Sequence, residues 1–87
     1  MNIKRLVNGV QHGQIVKHYK GQFYEILHVA DHTETREQMV VYKQLYTNNY
    51  PYGYVWCRPL SMFEKDVIYN NQVVKRFEHI NKQELLS

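Results

Sequence analysis

Two histidines and a glutamate, His18, His32 and Glu34, are the side chains best suited to metal binding or acid–base chemistry. His32 and Glu34 lie in one polar segment, and His28 precedes His32 by four residues. Zinc needs three or four N, O or S ligands at about 2.0–2.3 Å, and an imidazole beside a carboxylate can titrate near neutral pH. Two interpretations stay open: a small enzyme or metal-binding protein that uses these residues, or a loop whose backbone groups are braced by His32 and Glu34.

Cys57 is the one cysteine in the sequence, and its neighbour Arg58 is the sole argument for a reactive thiolate. Side chains alternate between the two faces of a strand, so Val55 and Cys57 share one side while Tyr54, Trp56 and Arg58 share the other. Cysteine packs as a small apolar side chain. The parity therefore predicts that Cys57 lies in the core, where it takes the place of a valine.

The side of this strand that carries Tyr54, Trp56 and Arg58 combines aromatic rings with a fixed positive charge. A guanidinium can stack on an indole two residues away. With the other side assigned to the core, we predict an exposed recognition patch for a peptide, a nucleic-acid segment or a small ligand. The predicted ligand-binding residues are His18, His32, Glu34, Tyr42, Trp56 and Arg58.

An alternative use of the same residues stays open. Trp56 can instead pack as core beneath a terminal segment, with Arg58 paired to Glu34 or Glu64. The four glycines never cluster as a phosphate-binding loop requires, so no nucleotide-dependent chemistry and no cofactor is expected.

The elements that must position these residues are strands. The 87 residues suffice for one domain, and Val, Ile, Thr, Tyr, Phe and Trp make up 30 of them while alanine occurs once, at Ala30. This composition predicts an all-β domain rather than a helical bundle. The net charge is +3 with scattered basic residues, which permits nucleic-acid binding without indicating it. The single cysteine and the absence of a run of about 18 apolar residues predict a cytoplasmic protein that does not enter a membrane.

Apolar runs between turn residues place the strands along the chain. We expect strands at Gln14–Tyr19, Phe23–Ala30, Gln38–Tyr46 and Tyr54–Arg58, then a hairpin of Val67–Tyr69 and Gln72–Phe77 around Asn70-Asn71. Ser61 and Glu64 have capping-box spacing and predict one helical turn with Ser61 as its N-cap.

Short strands in a chain of this size close most economically into a small SH3-like barrel, expected here over residues 13–80. Residues 1–12 are expected to form an N-terminal extension packed on the barrel. Their pattern fits a helix or a hairpin, and both stay open. A short C-terminal helix is expected at residues 81–87.

Several short sequence motifs, at fixed spacing along the chain, resemble those of one bacterial family, the small domain-of-unknown-function family numbered 1653. These motifs include Lys17–Gly21, His32–Thr35, Trp56–Leu60, Met62-Phe63 and Val74–Phe77. The resemblance runs from about Gly13 to Ile80. It departs at Cys57, where the family has valine, and at Lys75, where the family has proline. It implies a cytosolic SH3-like barrel without an established activity. We therefore expect a non-catalytic binding module, with the small enzyme or metal-binding protein as the alternative.

Overall fold

The computed structural model describes residues 13–80. The predictions for the extension at residues 1–12 and for the helix at residues 81–87 lie outside this part. The described residues form β1 (Ile15–His18), β2 (Phe23–Asp31), β3 (Gln38–Gln44), β4 (Val55–Pro59), α1 (Leu60–Phe63), β5 (Asp66–Tyr69), β6 (Gln72–Lys75) and β7 (Phe77–Ile80). Within these residues, no helix has the length and apolar character needed to cross a bilayer.

Five strands form one antiparallel sheet in the order β4-β3-β2-β1-β7, and β5 and β6 pair as a separate hairpin. β4 and β7 are the two edges of the sheet, yet the guanidinium carbon of Arg58 on β4 lies 5.9 Å from the ring centre of Phe77 on β7. The sheet must therefore curl until its edges approach each other across the core. The all-β prediction is confirmed. The curled sheet is consistent with an SH3-like barrel, although no hydrogen-bonded ladder joins the two sheets within residues 13–80.

The core lies on the concave side of the curled sheet, beneath α1. A β-bulge between Ile26 and His28 shifts the register of β2 against β3, and such bulges increase local bending. The buried apolar cluster consists of Val16, Ile26, Val40, Tyr42, Leu60, Phe63 and Phe77, with Tyr24, Val29 and Trp56 packed against it.

Local sequence explains the turns well. Gly21 has a φ of 109°, a backbone region that side chains disfavour, between β1 and β2. Asn70 and Asn71 have φ angles of 54° and 64°, which confirms the tight hairpin turn predicted from this pair. The first four predicted strands agree with the observed bounds within two residues.

Two predictions about the later elements are wrong. Pro59 rather than Ser61 is the N-cap of α1, and no side chain caps the helix. Ser61 already lies inside the first turn because the helix begins directly where β4 ends. The predicted strand Gln72–Phe77 is in fact divided at Arg76, whose N–H donates to the Lys65 carbonyl and whose carbonyl accepts from the Tyr19 N–H. This change of partners separates β6 from β7.

Candidate functional site

The two sides of β4 are reversed relative to the sequence prediction. Cys57 is exposed, and Val55 has half of its surface exposed, so both lie outside the core. Trp56 is half-buried and packs against the core cluster. The error has a physical origin: β4 is an edge strand, and the direction in which the sheet curls, rather than side-chain size, decides which face is inside. Arg58 therefore lies on the concave side with Trp56.

The residues of the candidate site surround the ring of Phe77. Its ring stacks on Phe63 at a centroid distance of 4.2 Å and meets Tyr24 and Tyr42 edge-on at 5.7 and 5.8 Å. The His18 ring lies 5.1 Å away, and the Arg58 guanidinium lies 5.9 Å from the same ring. Tyr42, one of the predicted ligand-binding residues, is 5 % exposed and forms the floor of this region.

His18 ends β1 and is held in one orientation. Its Nδ1 accepts a hydrogen bond of 3.2 Å from the backbone N–H of Lys20 in the following turn. Burial, followed in order of size by the nearby positive charges of Arg58, Arg76 and Lys20, lowers the pKa of His18 from its ordinary 6.5 to about 4. The imidazole is therefore neutral at pH 7.

Arg58 and Arg76 lie close enough to His18 to disfavour its protonation. Within residues 13–80, the two ion pairs join His32 to Glu34 at 3.7 Å and Lys43 to Glu25 at 3.6 Å. The pairing of Arg58 with Glu34 or Glu64 that the sequence left open is not among them. In addition, Nε of Arg76 is buried and has no hydrogen-bond partner among the described residues. We call Arg58, Arg76 and His18 the arginine cluster.

Tyrosine hydroxyls lie in the same region. Tyr24 and Tyr46 share a short hydrogen bond of 2.6 Å between their oxygens. The pKa of Tyr24 is raised by burial and by this hydrogen bond, and burial also raises the pKa of Tyr42. Both phenols therefore keep their protons at neutral pH and can donate hydrogen bonds.

A cleft of about 170 Å³ opens beside His18. It is lined by Lys17, His18, Tyr19, Val74, Lys75 and Glu78. Two lysines against one glutamate make its lining positive, which adds to the potential of the arginine cluster.

His32 and Glu34 lie away from this site. They follow the end of β2, whereas His18 precedes the start of β2, so the long strand separates them. The His32 Nδ1 accepts from the backbone N–H groups of Glu34 and Thr35 at 3.1 and 3.3 Å, as expected of a residue that braces its own loop. Among the described residues, no group of three or more His, Cys, Asp or Glu is placed to hold a metal ion.

Gln44 organises a second region that the sequence did not reveal. Its side chain is fully buried, and its Oε1 accepts a hydrogen bond of 2.9 Å from the Trp56 indole N–H. Its Nε2 lies within hydrogen-bonding distance of four acceptors in the loop between β3 and β4, although its two protons can serve only two at once. The acceptors are the carbonyls of Tyr46, Tyr50 and Pro51 and the Oδ1 of Asn48.

The loop held by Gln44 carries a group of contacting rings. Tyr50 lies 4.7 Å from Tyr54 and 4.9 Å from Trp56, and Tyr54 lies 5.1 Å from Trp56. We call these three residues the aromatic cluster. Tyr50 and Tyr54 are each 41 % exposed and Tyr52 beside them is 62 % exposed, so the cluster presents ring surface to solvent.

Fold and site together define a small all-β domain with a curled sheet, an arginine cluster inside it and an aromatic cluster at one end. Residues 14–79 match the family described as "Protein of unknown function (DUF1653)", and the chain belongs to that family. This result confirms the resemblance drawn from the sequence.

A solved structure agrees with this assignment. The chain is similar to a crystal structure of a protein belonging to DUF1653 from Bordetella bronchiseptica, with 28 % sequence identity and a TM-score of 0.71. The similarity covers 80 % of this chain and 87 % of the other. No curated protein matches this sequence closely enough to be called similar.

Proposed function

We propose that the protein is a non-catalytic binding module that holds the anionic group of a peptide, a nucleic-acid segment or a small ligand. The arginine cluster supplies the binding groups, and Trp56 with its neighbouring rings supplies apolar surface beside them. The family has no established function, so this proposal depends on the site alone.

The observation that carries the proposal is that, within residues 13–80, no ion pair compensates the charges of the arginine cluster. Neither Arg58 nor Arg76 takes part in the ion pairs found within residues 13–80, and Nε of Arg76 is buried without a partner there. An unpaired buried donor costs about 1–3 kcal/mol. Guanidinium groups bind carboxylates and phosphates through paired N–H donors, so an oxyanion would suit the two guanidinium groups that form no ion pair within residues 13–80.

The surroundings favour an anion over a cation. His18 is neutral but can take up a proton when a negative charge approaches. The tyrosine hydroxyls near Phe77 remain protonated, and two lysines line the adjacent cleft. Among these groups, the lysines and arginines carry positive charge, and Glu78 in the cleft is the one carboxylate.

Isothermal titration calorimetry with inorganic phosphate at low salt and pH 7 tests the proposal. Arg58→Met and Arg76→Met each remove one charge but keep an unbranched apolar side chain, and both should weaken binding roughly ten-fold or more. Arg36→Met is the matched control, because Arg36 is exposed in the loop between β2 and β3. If Arg36→Met weakens binding as much as the other two changes, the net charge rather than the arginine cluster holds the anion.

A further inference from the structure

We infer that the anionic ligand is a segment of single-stranded nucleic acid, with a phosphate at the arginine cluster and a base against the aromatic cluster. This inference rests on the proposed function, because it assigns the same arginines to the phosphate. It adds a partner for the exposed rings, which an isolated anion does not explain.

The two clusters are joined through one face of β4. Tyr54 lies just before β4, and its ring centre is 5.1 Å from that of Trp56. Trp56 and Arg58 alternate along β4 and therefore point to the same side, with their Cα atoms about 7 Å apart. A ring system and a guanidinium at this separation match the neighbouring base and phosphate of one nucleotide. Tyr50 and Tyr52 extend the ring surface away from Arg58 along the loop.

The internal bonding of the aromatic cluster indicates recognition by stacking. The Trp56 indole N–H already donates to Gln44, so the indole offers a ligand only its ring surface. Gln44 also fixes the loop backbone at Tyr50 and Pro51, which holds the tyrosines in place before a ligand arrives. Stacking of bases on aromatic side chains, beside a groove that follows the phosphates, is the usual mode of binding to single strands.

An acidic peptide would also satisfy the arginine cluster. It lacks the regular flat rings that the aromatic cluster is shaped to contact, whereas a nucleic-acid strand carries a ring next to every phosphate. The net charge of +3 over the chain suits a polyanion of this kind.

Fluorescence anisotropy of a labelled single-stranded oligodeoxyadenylate of about ten nucleotides provides the test, with the full chain and with polyglutamate of equal charge as competitor. The oligonucleotide should bind more tightly than polyglutamate. Tyr54→Leu and Tyr52→Leu should weaken its binding roughly 5- to 150-fold, the range for loss of one stacked base. Val55→Ser, on the opposite face of β4, should leave binding unchanged. Arg58→Met should reduce the slope of log affinity against log salt by about 0.7.

The same variants separate this inference from the proposal on which it rests. Both tyrosine changes should leave the calorimetric binding of inorganic phosphate intact. If phosphate binds at the arginines but the oligonucleotide binds no better than polyglutamate, or the tyrosine variants bind it normally, nucleic acid is the wrong partner. If phosphate itself does not bind, the proposed function fails first.

Discussion

The loop held by Gln44 and the arginine cluster both border the concave face of β4. They differ in whether their polar groups find hydrogen-bond or ion-pair partners within residues 13–80. Around Gln44, the amide bonds to groups of the loop and to the Trp56 indole, so these polar groups need no ligand and the region offers a ligand only its ring surface. Around Phe77, two guanidinium groups have no carboxylate in the ion pairs of the described chain, and one donor nitrogen has no partner there. A satisfied network specifies structure, whereas an unsatisfied one at a cleft indicates a binding role.

Gln44→Leu should have the largest effect on stability. The change leaves the Trp56 indole N–H and two acceptors of the loop without their partner, so we expect a loss of about 2–4 kcal/mol in the free energy of unfolding. Urea denaturation measures it. Gln38→Leu, an exposed position at the start of the same strand, is the control and should change stability by no more than about 0.5 kcal/mol. If both variants lose the same free energy of unfolding, Gln44 does not have the structural role that distinguishes its region from the arginine cluster.

The pH dependence of stability should show the lowered pKa of His18. Its pKa in the folded protein is about 4, below the ordinary value of 6.5, so the unfolded chain binds the proton more readily. The contribution of His18 to stability is complete above pH 6.5 and decreases as the pH falls toward 4. Denaturation of the wild type and of His18→Gln over this range isolates the effect, because the carboxylates titrate in both. Parallel profiles would show that His18 is not held neutral.

Arg58→Met should increase the stability of the ligand-free protein slightly, whereas Gln44→Leu decreases it. It removes a positive charge that lies near Arg76 and His18 and keeps the apolar contact with Phe77. We expect the ligand-free protein to gain up to about 1 kcal/mol, because residues kept for binding commonly reduce stability. Urea denaturation at constant ionic strength measures it. A loss of about 2 kcal/mol or more would assign Arg58 a structural role like that of Gln44.

Modification of Cys57 should have the smallest effect. Cys57 is exposed on the side of β4 opposite to Trp56 and Arg58, so a thiol reagent should label it in the folded protein. Mass spectrometry follows the labelling, and calorimetry of the labelled protein should give unchanged phosphate binding. Slow labelling, or loss of phosphate binding, would restore the original assignment of the strand faces.

The sequence predicted what depends on neighbours along the chain. Alternation and turn residues located β1 to β4 and the Asn70-Asn71 turn, because strand formation and positive φ angles are local properties. The curl of the sheet is not local. It decided which side of β4 is inside, and it brought Arg58 and Phe77 together from opposite edges.

The sites were harder to predict for the same reason. Gln44 resembles an ordinary exposed polar position in an alternating strand, and only the loop that folds over it makes it a buried centre. Nothing in the sequence pointed to Arg76 as a binding residue beyond its place in the family motif Val74–Phe77. His18 and Arg58 were predicted as ligand-binding residues and lie near one another, whereas His32 and Glu34 lie beyond the far end of β2. Their role in ligand binding remains a prediction.

The central claim is that an anion binds among Arg58, Arg76 and His18, and the pKa of His18 tests it most directly. Nuclear magnetic resonance titration of the imidazole, with and without sulfate at constant ionic strength, measures this pKa. Without sulfate we expect a value near 4. A bound anion offsets the guanidinium charges, so sulfate should raise the pKa toward its ordinary value, and Arg58→Met should raise it without sulfate. A His18 pKa that is near 6.5 at the outset, or that sulfate does not move, would contradict the account.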